Sequence, residues 1–120
     1  MLYEDLTSRV IEAAFEVSKE LGHGFLESVY EKSLQVALMQ KGLEVRLQVP
    51  LSVTFRGVSV GSFFADMIVE DKVLIELKAV TRVLGEHKAQ VINYLRATGL
   101  EVGLLLNFGT PKVEYYRLHK

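Results

Sequence analysis

The residues best suited to chemistry lie in two apolar runs joined by a short polar turn. Phe63-Phe64-Ala65-Asp66-Met67-Ile68-Val69 and Val73-Leu74-Ile75-Glu76-Leu77-Lys78-Ala79 flank Glu70-Asp71-Lys72. A hairpin folded symmetrically about Asp71 sets Asp66 opposite Glu76 and Phe64 opposite Lys78. Period-two alternation then places Asp66, Glu76 and Lys78 on one face, and Ala65, Met67, Val69, Val73, Ile75 and Leu77 on the other. Two carboxylates set face to face repel each other, and apolar surroundings raise one pKa or call for a cation. A hard divalent cation, magnesium or manganese, meets that call. Lys78 would orient or help deprotonate a water, or hold the charge that develops on a phosphate. The same residues also fit an edge hairpin whose acids face solvent, with Lys78 merely pairing with Glu76. What argues for a site is that charges interrupt strands otherwise strongly apolar, which is costly without a purpose.

Two further constellations stand apart from this one. In Gly24-Phe25-Leu26-Glu27-Ser28-Val29-Tyr30, glycine at the N-cap with glutamate three residues on is half of a capping box, and a first-turn carboxylate suits the helix dipole. Tyr30 reads most simply as a core aromatic whose hydroxyl finds a partner. The functional alternative has Glu27 reaching the same metal, directly or through water. Gln90 and Tyr94 are four apart and share one helix face, with His87 a turn earlier. They read either as an amphipathic edge or as groups facing the carboxylates and steadying the lysine, the water or the substrate.

The elements that must carry these groups follow from periodicity. Leu6, Val10, Ala13, Ala14, Val17 and Leu21 predict an amphipathic helix over about residues 4–21. A second helix is predicted over about residues 25–40, stopped by Gly42. The β-rich runs Leu43 to Val49, Leu51 to Phe55, Val58 to Val69 and Val73 to Val80 predict an antiparallel meander, with Pro50 separating the first two. Glu86 to Thr98 returns to helical spacing. Val102 to Phe108 is a nearly continuous apolar run, as expected of a strand buried on both faces, and Val113 to Leu118 makes the last strand. The order ααββββαββ, with a helix crossing between the Val73 and Val102 strands, predicts an α/β protein with a mixed central sheet flanked by helices.

Composition bounds the rest. The 120 residues fit one domain spanning residues 1–120, and 49% hydrophobic with 24% charged residues is globular rather than disordered. With no cysteine there is no disulfide, no thiolate zinc or iron–sulfur site and no thiol nucleophile. No GxSxG, Walker loop, GxGxxG or HExxH is present, and His23, His87 and His119 are too dispersed for a local metal motif. No apolar run approaches a membrane span, and Met1 to Asp5 lacks the marks of a signal peptide, so a cytoplasmic protein with no membrane partner is expected. The net charge is −1, with the acidic excess concentrated in the first 30 residues.

These constellations, in this order, resemble the PD-(D/E)XK nuclease superfamily. More narrowly, the chain is similar to the small GxxExxY proteins, whose motif stands here as Gly24, Glu27 and Tyr30. Gln48-Val49-Pro50-Leu51, Ala65-Asp66, Ile75-Glu76-Leu77-Lys78-Ala79-Val80 and Leu106-Asn107-Phe108-Gly109 extend the likeness over nearly the whole chain. The resemblance implies a restriction-endonuclease-like core and hydrolysis of phosphodiester bonds, with DNA as substrate. It implies Mg2+ or Mn2+ held by Asp66, Glu76 and the backbone carbonyl of Leu77, with Lys78 as the catalytic lysine and Glu27 as the helix-borne acid. Gln90 and Tyr94 match a QxxxY element that orients substrate. Ala65 stands where the nominal proline would. Because phosphate-driven affinity grows with the number of neutralised contacts, a slightly acidic chain is expected to need a second copy or a protein partner to hold duplex DNA. The alternative is a non-catalytic interaction module that keeps the nuclease-like core, and a hydrolase of small phosphate esters stays open beside both.

Overall fold

The computed structural model describes residues 1–120. Two helices, α1 (Glu4–Leu21) and α2 (Glu27–Gln40), precede the strands β1 (Val45–Phe55), β2 (Val58–Val69) and β3 (Val73–Lys78). Helix α3 (Gly85–Thr98) and strands β4 (Val102–Asn107) and β5 (Glu114–His119) complete the chain. The five strands form one sheet in the order β1-β2-β3-β4-β5. Every neighbouring pair is antiparallel except β3 and β4, which α3 joins in parallel. The expected α/β class with a mixed sheet is therefore what forms, and no helix is long and apolar enough to cross a membrane.

Two apolar cores sit on opposite faces of the sheet. Val10, Ala13, Ala14 and Val17 of α1 and Tyr30, Leu34 and Leu38 of α2 pack on Met67, Val69, Val73, Ile75, Leu77, Leu104 and Leu106. On the other face Val91, Tyr94 and Leu95 of α3 cover Leu51, Ala65, Ile68, Leu74 and Leu105. Strand β4 is buried at every residue, which explains its unbroken apolar run.

Three expectations change. The two strands predicted on either side of Pro50 are one strand, so the order is ααβββαββ. A proline is tolerated there because β1 is an edge strand, where the missing N–H interrupts no second ladder. Helix α2 begins at Glu27, not Phe25, and Leu26 rather than Gly24 is its N-cap, so Glu27 opens the helix and no capping box forms. The reason is Tyr30: its hydroxyl donates to the Gly22 carbonyl at 2.7 Å and accepts from the Phe25 N–H at 3.2 Å, holding residues 22–25 around the ring. Finally, Ala65 belongs to the α3 core rather than to the face of Met67. Gln48, with φ of 49°, breaks the alternation of β1, so that Leu47 packs toward α1 and α2 while Val49 packs toward α3. Strand β2, paired alongside, changes face at the same level, between Ala65 and Met67.

Tyr30 is 1% exposed and stacks on Phe108 with ring centroids 4.8 Å apart. Tyr30→Phe would keep the stack but leave two backbone groups without their partner. Chemical denaturation is expected to show a loss of about 1–2 kcal/mol, with the m-value unchanged.

Candidate active site

Sheet geometry decides where the two acids meet. The β2–β3 hairpin turns through Glu70 and Asp71, both with positive φ, and its register is Val69↔Val73, Ile68↔Leu74 and Met67↔Ile75. That is the symmetric register about Asp71. One step further the ladder stops, so Asp66 and Glu76 are not a backbone pair, and Phe64 faces Pro50 of β1 instead of Lys78. Side chains replace the missing rungs. The Asp66 N–H donates to Glu76 Oε1 at 3.1 Å, and the Leu77 N–H donates to Asp66 Oδ2 at 2.9 Å. The strands splay there because each acid's side chain takes the place of a carbonyl of its own strand as the acceptor for the neighbouring strand's N–H.

Burial sets the electrostatics. Glu76 is 4% exposed, and its pKa is pushed up to about 9, first by burial and then by the Asp66 carboxylate; Lys78 pulls the other way. Glu27, at the start of α2, also has a raised pKa, chiefly from partial burial, with Lys78 opposing and Asp66 adding to the rise. Tyr94 is raised by burial and by the charge of Glu76. Two predicted acids, Glu27 and Glu76, thus both feel Asp66 and Lys78, and Tyr94 of α3 feels the charges of Glu76 and Asp66. Gln90 Nε2 donates to the Tyr94 hydroxyl at 3.2 Å, whereas His87 turns away to accept the Leu84 N–H at 3.0 Å. Lys78 is half-buried and has no carboxylate within 4.0 Å, so the simple Glu76–Lys78 ion pair does not form.

The sheet also fixes the backbone around Lys78. Its carbonyl accepts from the Phe108 N–H at 2.8 Å, and beyond it Asn107 clasps the chain. Asn107 Oδ1 accepts the Val80 and Gly109 N–H groups, each at 3.0 Å; Nδ2 donates to the Val80 carbonyl and to Glu114 Oε1, each at 2.9 Å. Gly109 has to be glycine, since a Cβ there would lie 2.2 Å from the Val80 oxygen. Asn107→Ala would orphan three half-buried backbone groups at once, the Val80 N–H and carbonyl and the Gly109 N–H. It is expected to cost about 3 kcal/mol in urea unfolding and to loosen the exit of β3 that carries Lys78.

Sequence reasoning assigned no role to Asn107, to Gln48 or to Glu31. Asn107 has a readable signal, a single amide ending an apolar run. Gln48 Nε2 donates to Glu31 Oε1 at 3.0 Å and to Asp66 Oδ1 at 3.3 Å, so it ties α2 to the Asp66 carboxylate. Glu31 follows Glu27 at i+4 on α2, and helical spacing alone puts the two on one face. The contact of Gln48 with both depends on its left-handed backbone, which no local pattern announces.

The sequence model of the PD-(D/E)XK nuclease superfamily matches residues 4–118. The chain belongs to the PD-(D/E)XK nuclease superfamily. Two solved structures share its fold. The crystal structure of SSO0001 is similar with a TM-score of 0.62 and 20% identity, covering 98% of this chain and 60% of that one. An alkaline exonuclease, LHK-Exo, from Laribacter hongkongensis is similar with a TM-score of 0.56 and 15% identity, covering 94% of this chain and 70% of that one. This chain thus spans under two thirds of the length of SSO0001. No curated protein matches it in sequence.

PD-(D/E)XK nucleases generally use divalent metals, and the donor set fits one. No group of three or more His, Cys, Asp or Glu side chains is arranged around a common point. Magnesium does not need one, because it keeps several waters and binds through one or two carboxylates. Asp66 and Glu76 offer two carboxylates, and Glu76 is raised to about 9 first by burial and then by the Asp66 charge, so that a cation there would favour its ionised form. In an extended strand the N–H and C=O of one residue leave the same edge, so the Leu77 carbonyl opens on the side where its N–H meets Asp66.

Proposed function

We propose that the protein is a Mg2+- or Mn2+-dependent nuclease that hydrolyses phosphodiester bonds in DNA, as a member of the GxxExxY group marked by Gly24, Glu27 and Tyr30. The observation that carries the reading is the buried Glu76 carboxyl joined to the half-buried Asp66, with Lys78 acting on Glu76 but making no ion pair. In this reading Asp66, Glu76 and the Leu77 carbonyl hold the ion, which supplies Lewis-acid stabilisation of the phosphate and lowers the pKa of water. Lys78 points its ammonium group at the developing charge or at the attacking water. Glu27 is the auxiliary acid, its carboxyl raised above the ordinary value chiefly by partial burial, which favours proton exchange near the leaving group. Gln90 and Tyr94 orient the substrate from α3. Burial of Glu76 keeps bulk water from screening these charges.

The test is thermal. Added Mn2+ or Mg2+ is expected to stabilise the protein by mass action, about 2.7 kcal/mol at a hundred times Kd. Asp66→Asn should remove most of that shift, and chelator-sensitive cleavage of labelled DNA should vanish with it. A shift of equal size in the variant would sink the site.

A further inference from the structure

A groove of about 670 Å³ runs between the β1–β2 arm and α3. Beyond Ala65 the arm has left β3 behind, since β2 pairs with β3 only at Met67, Ile68 and Val69. Glu86, Gln90, Asn93 and Ala97 mark one face of α3 along the groove, about 16 Å of helix at 1.5 Å per residue. Phe63 forms the opposite wall. It is 43% exposed, and its ring centroid lies 5.8 Å from that of Tyr94 at a tilt of 42°.

Three features select an occupant. First, Tyr94 lines the groove and feels the charges of Glu76 and Asp66, with Gln90 of the lining donating to its hydroxyl, so whatever lies in the groove runs on toward the candidate active site. Second, the volume is that of a small-molecule site, enough for a nucleotide or two and too small for a duplex. Third, Glu86 and Arg96 cancel within the lining, so phosphate attraction is weak, while an exposed aromatic face and the side-chain amides of Gln90 and Asn93 are what an unpaired base requires. The geometry points to this groove as the binding site for an unpaired stretch of polynucleotide, one base stacking on Phe63 beside Tyr94 with its edge hydrogen-bonded by Asn93 and Gln90. The inference rests on the nuclease reading and narrows it: the strand enters the site single-stranded or frayed.

The experiment uses the full chain in chelator, with fluorescence anisotropy of labelled oligonucleotides. A dT 12-mer is expected to bind at least about tenfold more tightly than a 12-base-pair duplex. Phe63→Ala should weaken single-strand binding about tenfold, from loss of one stacking contact, whereas Phe63→Trp should retain it. Asn93→Ala should change the ranking among homopolymers, and matched rU and dT strands separate RNA from DNA as the source. All three variants alter exposed positions and should melt within 2–3 °C of the parent, roughly the shift of a sub-kcal/mol change. If Arg96 of the lining and Lys78 at the acids each meet one phosphate, log K should fall against log salt with a slope of about −1.4.

Duplex binding as tight as single-strand binding, or an unchanged Kd in Phe63→Ala, overturns the groove assignment. If metal-dependent cleavage of duplex persists in that case, the nuclease reading survives without it. Single-strand binding lost in Phe63→Ala but no cleavage with any divalent ion leaves the groove standing and removes the catalytic reading.

Discussion

In metal-free buffer at pH 7, Glu76→Gln is expected to be more stable than the parent by about 2–3 kcal/mol. In the unfolded chain Glu76 ionises near 4.5, whereas in the fold burial and the Asp66 carboxylate keep it protonated up to about 9. Folding at pH 7 must therefore take up a proton that the unfolded chain has released. At 1.36 kcal/mol per pH unit above 4.5 this costs about 3 kcal/mol, wherever above 7 the folded value falls. Glutamine avoids the cost and keeps the contacts, since its carbonyl can accept the Asp66 N–H and its amide can donate to the Asp66 carboxylate. The sign sets a pH profile. A carboxyl raised in the folded state stabilises fully below its unfolded value and loses that contribution as pH climbs toward the folded one. The parent and Glu76→Gln should therefore coincide near pH 4, diverge from about 4.5, and run parallel above about 9. Divalent metal should reverse the order, because the parent gains the mass-action term and Glu76→Gln does not. A parent at least as stable as Glu76→Gln at pH 8 in chelator would falsify the idea that these acids strain the apo fold.

How far the sequence carries is clearest at the hairpin. Alternating apolar residues on both sides of a three-residue polar turn leave one register that buries Met67, Val69, Val73 and Ile75 together, and that register forms. Helix α1 and the doubly buried β4 were equally legible, because each follows from a period that solvent enforces. What could not be read is where a period is broken. Gln48 takes a left-handed backbone with an ordinary side chain, and the swap of faces it introduces moves Ala65 to the other core. The splay at Asp66 has the same character: side chains of two acids substitute for ladder bonds, a choice made by tertiary geometry. Pro50 misled in the opposite direction, since its effect depends on whether a strand lies at the edge, which is a property of the sheet order. The candidate site was therefore legible in its residue types, Asp66, Glu76 and Lys78, and Asn107 carries a signal as the lone amide ending an apolar run, while the contact Gln48 makes becomes visible only once the backbone is placed.

Replacing Lys78 is expected to separate metal binding from catalysis, moving them in opposite directions. Lys78→Met should fold as the parent does, because the structure uses the Lys78 backbone, whose carbonyl accepts the Phe108 N–H, and gives its ammonium group no ion pair. Exchanging a proton on Glu76 for a divalent ion adds one net positive charge beside Lys78. Removing that cation, which opposes the raised pKa of both Glu27 and Glu76, should therefore tighten the metal by roughly a few-fold. Cleavage should nonetheless fall at least about 10²-fold in kcat, the loss typical of removing one preorganised donor at a developing anion. Lys78→Arg then divides the two roles open to the lysine. A guanidinium keeps the charge but does not release a proton near neutral pH, so recovery of most of kcat assigns charge stabilisation. Failure to recover, with metal affinity back at the parent level, assigns proton handling at the attacking water instead. Titration calorimetry for the metal and single-turnover cleavage for the chemistry give the two readouts independently, and a Lys78→Met protein that cleaves at the parent rate would remove the lysine from the mechanism.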